Sequence, residues 1–199
     1  MFPLGRALLP GELLPLRIFE PRYLEMMEVI RSGDQQFGVV LISRGWETGG
    51  GDDRYNIGSI ATTVRDVALG ESQRAVVAVG ATQFVVDEWL PDDPYPVARI
   101  TDRPDVDTSI GRERLDVLQA GVRKLYALAS ELGADTSSQD LQLPPEPGRA
   151  LWRLASLTPL SEFDRQRMLD EPDPMLRIEL LETLLAEITE ELTLRLGAG

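Results

Sequence analysis

Chemistry in this chain would fall to carboxylates, because both cysteine and histidine are missing. Neither occurs once among its 199 residues. That excludes thiol nucleophiles, serine–histidine–aspartate triads, thiolate and imidazole zinc sites, disulfides and thiol redox chemistry together. Nineteen of its twenty basic residues are arginine, so a lysine-based mechanism would have to use Lys124. That residue sits beside Arg123 in a stretch of helical periodicity and reads as a solvated surface charge. Acidic residues number 33, and nothing in their spacing selects one converging pair for acid–base work. Asp52-Asp53 and Asp92-Asp93 could meet Ca²⁺ or Mg²⁺, but neither pair has the spaced oxygen ligands of an EF-hand loop. Neighbouring side chains on an extended backbone also diverge. They read as solvated loop charge. No catalytic residue, cofactor or metal site is assigned.

What remains is binding. Trp46 stands at the edge of a polar, glycine-rich excursion from Gly45 to Arg54, where an aromatic ring has few core partners. Aromatics anchor protein interfaces, although a loop tryptophan can also fold back onto its own domain. Trp89 and Tyr95 flank Pro91-Asp92-Asp93-Pro94 and could line a shared apolar surface or pack beneath the loop. The formal net charge of −13 works against nucleic acid as a partner, and the arginines are dispersed among Asp and Glu without a basic patch. No apolar run approaches the ~18 residues a membrane span needs. Met1 to Leu16 is apolar but broken by Pro3, Pro10 and Pro15, without a basic leader or a clear cleavage site. The expectation is a cytoplasmic protein with no membrane partner.

The elements that would position these residues change character along the chain. The first hundred residues read mostly as strands: Leu4 to Leu9, Leu13 to Phe19, Phe37 to Ile42, Ile57 to Val67, Arg74 to Val79, Thr82 to Trp89 and Tyr95 to Thr101. Pro10-Gly11, Gly70-Glu71-Ser72 and Pro91 to Pro94 supply the turns, and such spacing suggests a small barrel or sandwich. One helix interrupts the series. Pro21 suits its first position, Tyr23, Met26, Met27 and Ile30 share one face, and Ser32-Gly33 stops it. After Pro104, Leu115, Leu118, Val122, Leu125, Ala129 and Leu132 mark an amphipathic helix. A connection rich in Ser and Pro follows, from Gly133 to Gly148. Shorter helices are predicted over Arg149 to Ser156 and Ser161 to Leu169. A last helix starts at Asp173-Pro174, with Ile178, Leu181, Leu185, Ile188 and Leu192 on one face. Two parts are therefore expected, a β-rich one over 1–103 and a helical one over 104–199.

Leu16-Arg17-Ile18-Phe19-Glu20-Pro21-Arg22-Tyr23 resembles the signature near the start of Lon protease N-terminal domains and of stand-alone proteins built from them. Phe2-Pro3-Leu4, Leu9-Pro10-Gly11, Phe37-Gly38-Val39-Val40, Ile57-Gly58-Ser59-Ile60-Ala61 and Pro94-Tyr95-Pro96 are similar as well. Gly80-Ala81-Thr82-Gln83-Phe84 takes the place of a family Gly-x-x-Arg-Phe, with Gln83 replacing the arginine and any ion pair it would make. Asp164 to Glu171 looks like the family's helical segment ending in Gln-x-x-Leu-x-Glu. The resemblance implies an α+β fold. Its first part would be a PUA-like, partly open β-barrel with one packed helix, and its second a C-terminal α-helical bundle. It also implies recognition of polypeptides. No Gly-x-x-x-x-Gly-Lys-Ser/Thr phosphate loop is present and no protease domain follows, so the expectation is a non-enzymatic module.

Within the marker segment, Ile18, Phe19 and Tyr23 read as core residues around a strand-to-helix corner. Glu20 could cap the helix it precedes, and Arg17 and Arg22 could clamp Glu20 or a neighbouring carboxylate. A direct contact with a bound protein would use Arg17, Phe19 and Arg22, together with Trp46, Trp89 and Tyr95. The first reading of function is a module that binds unfolded or exposed apolar segments, with polypeptide substrates, a partner protein or a separate Lon protease as partners. The second is a small-molecule or RNA-binding PUA-like module, and the third is a hydrolase using acidic residues alone. The broad apolar face of the last helix could seat in its own bundle or pair with a second copy as a homodimer. The resemblance puts it in the bundle.

Overall fold

The computed structural model describes residues 1–45, 53–70, 72–105, 110–136 and 141–197. In chain order the elements are β1 (Phe2–Leu4), β2 (Leu13–Ile18), α1 (Pro21–Ser32), β3 (Gln36–Arg44), β4 (Asp53–Ala68), β5 (Arg74–Leu90) and β6 (Val97–Arg103), followed by α2 (Arg112–Glu131), α3 (Pro147–Leu157), α4 (Glu162–Asp170) and α5 (Pro174–Gly197). They form two compact units, Met1–Pro104 and Asp105–Gly199. No described helix is long and apolar enough to cross a membrane.

In the first unit all six strands share one mixed sheet of order β1-β3-β4-β5-β2, with β6 also paired to β5. Only β1 runs parallel to its neighbour, β3. Among the described residues the hydrogen-bonded path does not return on itself, so β1 and β2 are edges and the sheet is open, not closed. The apolar face is covered by α1. Its Tyr23, Met26, Met27 and Ile30 enter the cluster formed by Phe2, Leu4, Leu14, Ile18, Phe37 and Val76. Each such side chain removed from water contributes about 1.5–3 kcal/mol. The helix begins at Pro21, where a missing N–H costs nothing, and ends before Gly33.

The sheet departs from the sequence expectation in two places. The strands expected at Arg74 to Val79 and Thr82 to Trp89 are one strand of 17 residues, β5, which pairs with β4 along most of its length, with β2 in its first half and with β6 in its second. Gly80 bends this strand without ending it. A Cβ there would lie 2.3 Å from the Leu9 carbonyl oxygen, so only glycine lets the Leu9 backbone pass. The strand expected at Leu4 to Leu9 is instead β1, Phe2–Leu4. Ala7, Leu8 and Leu9 are buried in an irregular segment, where the Ser59 hydroxyl donates to the Leu8 carbonyl at 2.6 Å.

In the second unit α2 buries Leu115, Leu118, Val122 and Leu125, α5 buries Ile178, Leu181, Leu184 and Leu185, and the two helices pack together. Their approach is close at Gly121, where a Cβ would fall 2.6 Å from Leu185 Cδ2. Ser161 caps α4 by accepting from the Asp164 N–H at 3.1 Å, and Asp173 accepts from the Met175 N–H at 2.8 Å before α5. A buried cation organises this unit. Arg177 lies 4.2 Å over the Trp152 ring and donates to Asp105 Oδ1 at 2.9 Å, while Trp152 Nε1 donates to Asp105 Oδ2 at 2.6 Å. Further Arg177 N–H groups reach the Met168 carbonyl at 3.2 Å and the Glu171 carbonyl at 2.7 Å. The guanidinium is thus paired and hydrogen-bonded, as a buried charge must be.

This packing makes each unit testable by itself. Gly80→Ala should destabilise the first unit by about 1–3 kcal/mol, because backbone must move to admit the methyl group. The check is a lower urea midpoint at unchanged slope. In the second unit Arg114 grips Glu182 with two bonds of 2.8 Å, and these hydrogen bonds hold the Glu182 carboxyl below its usual value. A carboxylate depressed on folding stabilises at neutral pH, and that contribution disappears as pH falls from the unfolded carboxylate range through the lower folded value. Acid should therefore erase most of the difference in melting temperature between the wild type and Glu182→Gln.

Candidate substrate-binding groove

Where β2 meets α1, the chain reverses its polarity of burial within a few residues. Leu14, Leu16 and Ile18 alternate onto the core face of β2, while Leu13, Pro15 and Arg17 turn to the other face. Phe19 then breaks the sequence expectation. It is not a core residue but stands 53% exposed, between Ile18 and Tyr23, each 2% exposed. The reason lies in the corner. Pro21 starts the helix, so Ile18 completes the strand's inward set and Tyr23 opens the helix's inward set, leaving Phe19 on the outside of the bend.

Beside this corner lies a groove of about 330 Å³. Phe2, Leu4, Leu14, Leu16, Ile18 and Tyr23 supply its apolar lining, and Phe19, Arg6 and Glu20 its outer residues. Phe2 and Tyr23 stack with ring centroids 4.2 Å apart and planes 13° apart, which joins β1 to α1 beneath the groove. The outer charges are matched within the protein. Arg6 pairs with Glu12, and Arg22 pairs with Glu20 at 3.1 Å while lying 4.5 Å over the Tyr23 ring. Glu20 occupies the cap position of α1 but makes no capping bond, being held by Arg22 instead. Among the described residues Arg17 clamps no carboxylate. It donates to the Gln73 side chain at 2.7 and 3.2 Å.

Of the six residues singled out in the sequence, Arg17 and Phe19 line this groove, and Arg22 braces it through Glu20 and Tyr23. Trp46 lies outside the described residues. Trp89 and Tyr95 pack on different clusters. Trp89 packs on the Val40, Phe84 and Val86 cluster, donates to Asn56 Oδ1 at 3.1 Å and lies beneath Arg54 at 4.8 Å. Tyr95 packs on the cluster that contains Phe2 and Tyr23. Asp92, read as solvated loop charge, lies 3.5 Å from Arg54. Among the described residues no group of three acidic side chains is placed to hold a metal ion. Leu14, Leu16, Phe2 and Leu4 are the site residues that sequence reasoning misses. Their alternation marks a buried strand face.

Phe19 and Tyr23 therefore respond differently to truncation. Tyr23→Ala should cost about 3–5 kcal/mol by emptying the stacked core position. Phe19→Ala should leave stability within about 0.5 kcal/mol, as for exposed positions generally. Thermal denaturation of both variants distinguishes a core corner from an exposed anchor.

The sequence matches, over residues 1–187, the family described as the ATP-dependent protease La (LON) substrate-binding domain. A Lon protease 2 of Myxococcus xanthus is 27% identical over 189 residues, covering 93% of this chain and 23% of that protein. A Lon protease of Anaeromyxobacter dehalogenans is 28% identical over 190 residues, covering 93% and 22%. The chain thus spans about a quarter of the length of the curated relatives it matches. Among solved structures, a Lon N-terminal domain protein from Xanthomonas campestris superposes with a TM-score of 0.70 at 27% identity, over 92% of this chain and 95% of that one. The N-terminal domain of a Mycobacterium avium complex Lon protease superposes at 0.61 and 14% identity, over 92% and 96%, and shares the fold.

Proposed function

Because the chain belongs to the ATP-dependent protease La (LON) substrate-binding domain family, we propose that it is a non-catalytic module that captures unfolded or exposed apolar polypeptide segments in the groove beside β2. The observation that carries this reading is a groove in which half-buried Leu16 and 53% exposed Phe19 present apolar surface over the buried Phe2, Leu4, Leu14, Ile18 and Tyr23. An incoming aliphatic or aromatic side chain would exchange water for that surface, gaining about 25 cal/mol per Å² of apolar surface covered. The matched region is the substrate-binding part of Lon proteins rather than their ATPase or protease part, which supports binding without turnover. On this reading the module acts without ATP in cytoplasmic protein quality control. A separate Lon protease or another dedicated protein is a candidate partner, and the two units serve as a PUA-like subdomain over 1–103 and a helical subdomain over 104–199.

The test is fluorescence anisotropy of a labelled, reduced and carboxymethylated protein that cannot fold, with its native form as control. Saturable binding of the unfolded form alone is expected, and Phe19→Ala should weaken it by about 1–2 kcal/mol, as truncation of an aromatic anchor does. Absence of binding up to about millimolar concentration would reject the reading.

A further inference from the structure

The floor of the groove accounts for apolar affinity, but the backbone beside it carries more information. In β2 the hydrogen-bonding phase is set at the bend. The Gly11 N–H donates to the Gly80 carbonyl at 2.7 Å and the Gly80 N–H donates to the Glu12 carbonyl at 2.9 Å. From Glu12 the antiparallel alternation turns the backbone groups of Leu14, Leu16 and Ile18 towards Ala78, Val76 and Arg74. The backbone groups of Leu13, Pro15 and Arg17 consequently face away from β5. No strand pairs with them on that side among the described residues, since β2 ends the sheet.

Pro15 fits this phase. It has no N–H, and it stands where none is needed for the ladder to β5. Pro15 and Arg17 lie on the face of β2 opposite Leu14 and Leu16, and both residues line the groove. The outward edge of β2 is therefore a row of backbone groups, the N–H and C=O of Leu13, the C=O of Pro15, and the N–H and C=O of Arg17, and two of these residues, Pro15 and Arg17, line the groove.

We infer that the polypeptide bound by this module lies extended along β2 and adds to the sheet as a further strand, with its register set by the missing donor at Pro15. The inference rests on the groove being the binding site. Arg6 and Glu20 at the groove are already matched by Glu12 and Arg22, so among the described residues the β2 edge groups are polar features with no strand to satisfy them, and an extended backbone is a ligand that satisfies them all. An antiparallel occupant makes two bonds to Leu13, two to Arg17 and one to the Pro15 carbonyl. Its N–H groups at alternate positions are needed, and those between them are not. Its inward side chains fall at the same period of two, over Leu14, Leu16 and Ile18. A second copy of this chain is a poorer occupant, because two β2 edges related by a two-fold axis at Pro15 would set two residues without donors against each other.

The experiment uses overlapping peptides of the same carboxymethylated, unfolded protein, selects the tightest, and replaces its backbone N–H groups by N-methyl one at a time. Losses of about tenfold in affinity at alternate positions, with the positions between them tolerated, are expected for strand addition. Pro15→Ala restores the missing donor and should tighten binding several-fold, a gain that damage to the fold would not produce. Amide exchange should slow at Leu13 and Arg17 when the peptide is bound. If the peptide binds and Phe19→Ala weakens it, while N-methylation shows no alternation and Pro15→Ala no gain, the strand mode is wrong and the groove reading stands. If no peptide binds, both are wrong. If sedimentation shows the chain alone as a dimer whose β2 amides are protected, the occupant is a second copy and the inference is overturned.

Discussion

An open sheet must hide its apolar face behind something other than another strand, and here that task falls to α1. The cluster that joins Tyr23, Met26, Met27 and Ile30 to Phe2, Leu14, Ile18 and Phe37 is the contact on which the first unit depends. Its geometry also decides where the groove can be. The helix reaches β1 through the stack of Tyr23 on Phe2, yet leaves the β2 side of the same floor uncovered at Leu16 and Phe19. Stability and the proposed recognition therefore draw on adjoining parts of one surface, with Tyr23 between them. A change to the corner at Phe19 touches only the rim. A change at Tyr23 removes the support of both.

Much of this is legible in the sequence where a single residue type has one physical meaning. Pro21 and Gly33 bound α1, Ser161 and Asp173 mark helix starts, and the three- and four-residue spacing from Leu115 to Leu125 gives a buried helical face. The failures arise where one residue type has two meanings. Gly80 reads as the end of a strand, but it answers the close passage of the Leu9 backbone, a contact between residues far apart in sequence. Ala7, Leu8 and Leu9 look like a strand because they are apolar, yet they are buried through Ser59 and the bend at Gly80 rather than by a ladder. Phe19 reads as core because aromatic residues usually are. Its exposure follows from the bend between an inward Ile18 and a helix that starts at Pro21. Which of two apolar faces is covered depends on the order of strands in the sheet, and strand order is not written in local periodicity.

Arginine carries nearly all of the positive charge, and the structure shows what that choice does. The guanidinium at Arg177 meets a carboxylate, two carbonyls and an aromatic face at once. The one at Arg22 meets Glu20 and the Tyr23 ring, and that at Arg114 takes both oxygens of Glu182. A planar group with five donors can bind in these ways, whereas an ammonium cannot. With these cations engaged within the protein, the net charge of −13 remains as a surface field that favours basic over acidic partners.

The pairing of β2 with β5 has a consequence for the order of synthesis. Leu13 to Ile18 is made before the strand that receives it, Arg74 to Val79, which lies far downstream. β3 with β4, β4 with β5 and β5 with β6 each pair with a strand that follows directly in sequence, at small entropic cost, while β2 must wait across the whole of α1, β3 and β4 for its partner. During that interval a nascent chain carries Leu14, Leu16 and Ile18 uncovered. On the proposed reading, a module for unfinished proteins is itself, for a time, a chain of that kind, and its β2 is not in place until β5 has emerged to pair with it.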